Sequence, residues 1–296
     1  MTEVSLGALR ERAVEQLATA GVPTPQVDAD LLIGHTLGVS RGEVQAKAIT
    51  DAVVAESDAV AIRAAIDRRA AREPLQHITG RAPFRSLELA VGPGVFVPRP
   101  ETELVAQLAI DALQAVPSAT PRAADLGTGS GAIALALATE VPHAQVVAVE
   151  NSPEAFIWAR QNVLEIGADN VRLIFADLGD TPRELDGTLD VVVSNPPYIP
   201  LGAIPRDPEV RLFDPEAALY GGVDGFDVVR VISRRAAELL RPGGLLVLEH
   251  GESQGQQLRE LLAADGWTAT ATHRDLIGRD RATTAIRSSA DPSGMR

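Results

Sequence analysis

The sequence predicts an open α/β domain built on a mostly parallel sheet, preceded by a small helical unit. Three observations carry this. From residue 101 onward, short runs rich in Val, Leu and Ala alternate with stretches of helical spacing. The first of those runs ends in Asp125-Leu126-Gly127-Thr128-Gly129-Ser130-Gly131 and leads straight into a helical pattern. The leading 75 residues hold helical spacing alone. Strands that alternate with helices form a parallel sheet covered on both faces.

In the leading segment, Leu6, Leu9, Ala13, Leu17 and Ala20 recur on one helical face, and Gly21 stops the run. Thr24-Pro25 reads as an N-cap with proline at the first helical position, opening a helix through Leu31, Leu32 and His35 that Gly38 ends. A further helical stretch covers 56–72 and stops near Pro74. Together these define a helical domain over 1–75 with no evident chemistry. Residues 76–100 read as a β-hairpin linker: 84–91 alternates as a strand, Gly92-Pro93-Gly94 turns, and 95–98 returns.

The main domain is expected over 101–287. Its helices are predicted at 101–115, 132–139, 153–166 and 228–240, and its strands at 123–125, 145–150, 171–176, 189–194, 245–250, 267–273 and 282–287. A long loop separates the strand at 189–194 from the last helix. Residues 288–296 read as a disordered tail.

Composition removes several function classes. The formal net charge is −13, which argues against a general nucleic-acid binder, so no direct specific nucleic-acid binding is expected. A local run of arginines (Arg63, Arg68, Arg69, Arg72, Arg81, Arg85) reads either as a solvated helix face or as a docking surface for an acidic partner. There is no cysteine, which excludes a thiol nucleophile and Cys-ligated zinc. The histidines at 35, 77, 143, 250 and 273 lack metal-ligand spacing, so no metal is expected. Charges interrupt the N-terminus too early for a signal peptide, and no apolar run reaches the ~18 residues that span a bilayer. A cytoplasmic protein without membrane contact is the expectation.

The glycine loop marks a ligand site. Glycine allows a sharp turn and close approach of a ligand, and open α/β sheets bind ligands at the carboxyl ends of strands. Alone, Gly127-x-Gly129-x-x-Ala132 fits a dinucleotide as well as S-adenosylmethionine. Asp125 favours the second, because an acid there repels a pyrophosphate but can pair with the amino-acid end of a sulfonium cofactor. Glu150, closing the second strand, can accept ribose hydroxyls from either cofactor. Asp177 and Leu178, ending the third strand, suit the amino group and ring of an adenine. The candidate cofactor set is therefore Asp125, Gly127, Thr128, Gly129, Ser130, Gly131, Glu150, Asp177 and Leu178.

The fourth strand runs into Asn195-Pro196-Pro197-Tyr198. Two consecutive prolines stiffen the loop in an extended form. The Asn195 side-chain oxygen and the Pro196 carbonyl then stand as two fixed acceptors, matched to the two N–H bonds of a planar amide or exocyclic amine. Tyr198 supplies an aromatic face for the same group. The four residues are the candidate catalytic and substrate-binding set.

These motifs resemble the peptide chain release factor glutamine methyltransferases, the HemK family. The resemblance covers nearly the whole chain. It rests on Glu73-Pro74-Leu75-Gln76-His77-Ile78-Thr79-Gly80, Val97-Pro98-Arg99-Pro100-Glu101-Thr102-Glu103, the glycine loop, Asn195 to Tyr198, and Leu248-Glu249-His250-Gly251. It implies a seven-stranded, Rossmann-like S-adenosylmethionine-dependent methyltransferase domain with one antiparallel strand. It implies transfer of a methyl group to the glutamine amide in the Gly-Gly-Gln loop of class 1 release factors, giving N5-methylglutamine. It places Gly127 to Gly131, Glu150 and Asn195 on the cofactor and Asn195 to Tyr198 on the glutamine. Leu178 stands where the family often has an aromatic residue, and Glu150 where it often has Asp. An adenine-N6 DNA methyltransferase is the alternative, since adenine also presents a planar amine, but that activity calls for a basic cleft to grip DNA.

Overall fold

The computed structural model describes residues 3–289. The tail expected over 288–296 lies outside the described residues from position 290 on. Along the chain the elements are β1 (Glu3–Ser5), α1 (Leu6–Thr19), α2 (Pro25–Leu37), α3 (Arg41–Ile49), β2 (Val53–Ala55), α4 (Glu56–Ala70), α5 (Leu75–Thr79), β3 (Arg81–Phe84), β4 (Leu87–Ala90), α6 (Thr102–Ala115), β5 (Arg122–Leu126), α7 (Ala132–Glu140), β6 (Gln145–Glu150), α8 (Pro153–Ile166), β7 (Val171–Phe175), β8 (Leu189–Ser194), α9 (Pro208–Phe213), α10 (Glu216–Leu219), α11 (Asp227–Leu239), β9 (Leu240–Glu249), α12 (Gly255–Ala264), β10 (Thr268–Arg274) and β11 (Asp280–Ile286). Two compact units result: residues up to Arg81 joined by Pro205–Phe213, and Ala82–Ile204 joined by the chain from Asp214 on.

The smaller unit is helical, as expected, with additions. α1 buries Leu6, Leu9, Ala13 and Leu17, and the Ser5 side chain caps its start. α2 opens on Pro25 and ends at Gly38 in the left-handed conformation. Thr24 precedes it without capping it, because its hydroxyl donates to Asp28 Oδ1 at 2.8 Å instead. α3 went unpredicted because it buries Val44 alone. Its start was nonetheless written as a capping box, with Ser40 and Glu43 each bonded to the other's backbone N–H. β1 and β2 pair antiparallel over three residues, too short for a period-2 signal.

The arginine run does not form a free basic face. Arg63 pairs with Glu56 and Arg68 with Glu73. Arg69, 6% exposed, pairs with Asp28 at 2.7 Å and Glu209 at 2.8 Å. Arg72 grips Glu209 through two nitrogens, at 2.9 and 2.5 Å. Glu209 lies on α9, in the middle of what the sequence presented as one long loop. Burial pushes the Glu209 carboxyl up, but its bonds with Asp207, Arg72 and Arg69 outweigh burial and hold it well below the usual range.

In the larger unit, the hairpin sits earlier than its sequence pattern suggested. β3 and β4 form a two-stranded sheet, and the turn between them is Arg85-Ser86, with Arg85 at φ +53°. The Gly92-Pro93-Gly94 segment carries no returning strand. Instead Val91, Val95 and Val97 are buried with Ala82 and Ala155, and Trp158 Nε1 donates to the Pro93 carbonyl at 3.2 Å. Burial of alternate valines imitated a strand there. α12 was also missed, although Leu258 and Leu262 give it an i,i+4 apolar pair.

The central sheet has seven strands in the order β10-β11-β9-β8-β5-β6-β7. β5, β6, β7, β8 and β9 run parallel, and β11 is antiparallel to both its neighbours. Successive strand residues feed opposite layers. Ala123, Val191 and Val193 join the core under α6 and α7, while Ala124, Leu126 and Val192 join that under α11 and α12. Both faces are dry, which explains the near-continuous apolar runs of β5, β6 and β8. Each fully buried Val or Leu contributes on the order of 1.5–3 kcal/mol.

Candidate active site

Strand order places the site. The chain leaves β5 toward β6 on one side, whereas β8 and β9 lie on the other, so the order reverses between β5 and β8. A crevice opens at the carboxyl ends of strands flanking such a reversal. β5 and β8 are paired there, with Asp125 opposite Val193. The buried Ser194 hydroxyl donates to the Leu126 carbonyl at 2.5 Å. The glycine loop and Asn195, far apart in sequence, thus leave neighbouring strands side by side.

The loop is held from three directions. The amides of Gly127 and Thr128 both donate to the Val149 carbonyl at 2.9 Å. The Gly129 amide donates to Glu150 Oε2 at 2.8 Å. Asn162 on α8, 1% exposed, donates to the Ser130 and Ala90 carbonyls and accepts from the Ala90 amide. Gly127 and Gly129 sit at φ +75° and +58°, and a Cβ at either would project into open space. That is a cradle only glycine backbone can line without strain.

Asp125 is 1% exposed. Its Oδ2 accepts from the Thr128 hydroxyl at 2.6 Å and the Ala134 amide at 3.1 Å, while Oδ1 is buried without a partner. Burial pushes this carboxyl up to about 7, with the nearby Glu150 charge adding to the rise and the two hydrogen bonds opposing it. Glu150 is buried and already accepts from Gly129, Asn151 and Ser152 amides. Asp177 caps a short 3-10 turn and accepts from Asn151 Nδ2 at 3.2 Å, and Leu178 packs partly buried on the apolar layer beneath. An orphaned acidic oxygen beside an open glycine cradle fits the cationic amino end of S-adenosylmethionine, and carboxylates at the ends of β6 and β7 fit its ribose and adenine.

The tetrapeptide has supports that the sequence did not assign. Asn195 Nδ2 donates to the Thr102 hydroxyl at 3.2 Å. Tyr198 Oη donates to Glu249 Oε1 at 3.4 Å and accepts from Arg281 Nη1 at 3.4 Å. The Tyr198 carbonyl accepts from Gln254 Nε2 at 2.9 Å. Burial and the Glu249 charge push the phenol up, so Tyr198 remains a protonated donor. The segment following Tyr198 packs back on it: a Cβ on Gly221 would meet the Pro197 carbonyl at 2.4 Å, and one on Gly225 the Tyr198 carbonyl at 2.3 Å. His250 adjoins this cluster, but its ring nitrogens are committed to the Gly251 carbonyl and Thr283 hydroxyl, and burial lowers its pKa. Thr102 and Glu249 each lay within a quoted motif, but neither had an apparent role until the fold joined them.

Two family profiles match the chain: "PrmC N-terminal domain" over residues 8–80 and "Methyltransferase small domain" over residues 86–205. A release factor glutamine methyltransferase from Bifidobacterium longum is 47% identical over 280 residues, covering 91% of this chain and 95% of the relative. One of the same name from Streptomyces coelicolor is 50% identical over 276 residues, covering 93% and 95%. The chain belongs to the release factor glutamine methyltransferase family. Membership brings S-adenosylmethionine as methyl donor, and it does not favour the adenine alternative. A solved methyltransferase from Pyrococcus furiosus shares the fold at TM-score 0.51 and 23% identity, over 69% of this family member and 90% of that chain. No helix among the described residues is long and apolar enough to cross a membrane.

Proposed function

We propose that this family member methylates the side-chain amide nitrogen of the glutamine in the Gly-Gly-Gln motif of class 1 peptide chain release factors, giving N5-methylglutamine. The observation that supports the reading is the pairing of β5 with β8, which sets Asn195 to Tyr198 beside an open glycine cradle. We assign the cofactor to Asp125, Gly127, Thr128, Gly129, Ser130, Gly131, Glu150, Asp177, Leu178 and Asn195. We assign the glutamine to Asn195, Pro196, Pro197 and Tyr198.

S-adenosylmethionine, when bound, supplies the electrophilic methyl group. The protein's task is to make a poor nucleophile attack in line. Asn195 Oδ1 and the Pro196 carbonyl accept the two amide hydrogens, fix the plane of the nitrogen and push electron density toward it. Holding reactants in such an attack geometry contributes roughly 7–11 kcal/mol in favourable cases. The same acceptors stabilise positive charge as it develops on nitrogen, an effect of order 10²–10³ in rate for one well-placed group. The nitrogen becomes acidic once methylated, so water can take its proton and no committed base is required.

The partner is a protein carrying an exposed glutamine loop, with neither a membrane nor a specific nucleic acid involved, and the setting is the cytoplasm. The experiment is methyl transfer from labelled S-adenosylmethionine to a purified release factor, to its Gly-Gly-Gln glutamine→alanine variant, and to duplex DNA. Label that appears only when the glutamine is present supports the proposal. Label on DNA alone, or on the alanine variant equally, overturns it.

A further inference from the structure

The turn that joins β10 to β11 holds two aliphatic side chains out in solvent beside the candidate site. β11 runs antiparallel to β9, with Ala282 opposite Glu249 at the carboxyl end of β9. The residues just before β11 therefore stand at the carboxyl ends of the parallel strands, on the side where the crevice opens. Two bonds tie them to it. The His250 amide donates to the Arg281 carbonyl at 2.9 Å, and Arg281 Nη1 donates to Tyr198 Oη at 3.4 Å. At the tip Leu276 is fully exposed and Ile277 is 74% exposed. The tip is nonetheless ordered from within. The Asp275 carboxylate accepts from the Ile277 amide at 3.1 Å, the Arg279 amide at 2.9 Å and Arg279 Nε at 2.8 Å. The Asp275 amide donates to the Arg279 carbonyl and the Gly278 amide to the Asp275 carbonyl, both at 2.9 Å. Arg274 Nε donates to Asp280 at 3.0 Å. The charged side chains of the turn are thus paired with one another, and what it offers outward is Leu276 and Ile277.

We propose that Leu276 and Ile277 form a docking knob for the methyl-acceptor protein, received by an apolar patch beside its glutamine loop. The inference rests on the functional reading above and deepens it, from which group is methylated to how the protein that carries it is held. Single exposed aliphatic residues are ordinary on a protein surface. This pair differs because its turn is already ordered, so burying it against a partner loses little further conformational entropy. Its place names the occupant. Ile277 is four residues from Arg281, a span of at most about 14 Å. A protein interface of about 800 Å² a side reaches roughly 16 Å from its centre, so an acceptor protein seated over the tetrapeptide covers the tip as well. The segment after Tyr198 continues the same character: Leu201 is 62% and Val223 83% exposed, and the Leu201 amide donates to the Gly222 carbonyl at 2.9 Å. A nucleic acid is a poorer match, because Arg274 and Arg279 are already bonded to Asp280 and Asp275 and an aliphatic pair offers no hydrogen bond to phosphate.

The test compares the full unsubstituted chain with Leu276→Ser, Ile277→Ser and the double variant, at saturating labelled S-adenosylmethionine and with release factor as the varied acceptor. Both side chains are exposed, so the fold is kept, which an unchanged unfolding midpoint and cofactor Kd verify. KM for release factor rises on the order of 10-fold for each substitution, with kcat at saturating acceptor unchanged. The rise is the same at low and high salt, because no charge has been removed. Asp275→Ala, which keeps both aliphatic side chains but frees the turn, raises KM by a smaller factor. An unchanged KM in the double variant overturns the inference, and so does a loss confined to kcat. An unsubstituted chain that sediments as a dimer, and a double variant that sediments as a monomer with unchanged KM, would assign the knob to a second copy and overturn it as well. The failures are distinguishable: an unchanged KM in the variant leaves labelling of the glutamine intact, whereas an unsubstituted chain that does not label release factor strikes the functional reading and the inference with it.

Discussion

Glu209→Ala tests whether the segment after the tetrapeptide is anchored or loose. Glu209 is 7% exposed and receives three charge-assisted hydrogen bonds, one from Arg69 and two from Arg72. Removing one partner of a buried ion pair costs about 3–5 kcal/mol, because the charge left behind is stranded. Here both cations keep other partners: Arg69 retains Asp28 and the Glu73 carbonyl, and Arg72 retains the Gly21 carbonyl. The lower end, about 3 kcal/mol, is therefore expected. At about 1.4 kcal/mol per decade, that is a rise of roughly 100-fold in the local opening equilibrium. Hydrogen exchange of the α9 amides at neutral pH reads it directly. The sign with pH also follows. A carboxyl held below its ordinary value stabilises the fold above about pH 4.3, the unfolded value, and that contribution fades as pH falls through its depressed value. Exchange at α9 that rises less than tenfold in the variant would refute the anchoring argument.

Four further outcomes are expected. Asn195→Ala lowers kcat by roughly 10²–10³ through loss of one acceptor, while cofactor Kd measured by calorimetry changes far less; equal losses in both would make Asn195 chiefly a cofactor residue. Asp125 titrates near 7 before cofactor arrives, so S-adenosylmethionine should bind more tightly as pH rises through about 7 and Asp125→Asn should bind weakly with a flat profile. The unliganded protein should show the opposite trend: a raised carboxyl stabilises the fold at low pH, and this is lost as pH climbs toward 7, a slope that Asp125→Asn removes on chemical denaturation. Gly225→Ala forces a Cβ into the Tyr198 carbonyl at a residue with φ +82°, so kcat should fall with the global unfolding midpoint less affected; unchanged turnover would mean the glycine turn does not position the tetrapeptide.

The sequence by itself determined the parts that local periodicity and backbone chemistry encode. β6, α8 and β8 were legible to the residue, because a strand buried on both faces needs an unbroken apolar run and a helix capped by Ser152-Pro153 announces its start. The glycine loop and the tetrapeptide were legible because few backbones tolerate positive φ or two successive prolines. Elements carried by one or two buried side chains, such as α3 and α12, lacked the repeat that makes a pattern. Val95 and Val97 imitate a returning strand after the Gly92-Pro93-Gly94 turn because burial without pairing leaves the same trace.

Only the tertiary structure decided who meets whom. Arg69 and Arg72 looked like part of a basic surface until α9 brought Glu209 to them. Thr102, Glu249 and Arg281 lie on α6, β9 and β11, and no spacing in the sequence joins them to Asn195 and Tyr198. A hydrogen bond depends on a few tenths of an ångström between atoms, whereas sequence pattern fixes only which face of which element a residue occupies. The chain could therefore announce its fold and its candidate tetrapeptide, while the surroundings of that tetrapeptide waited on strand order.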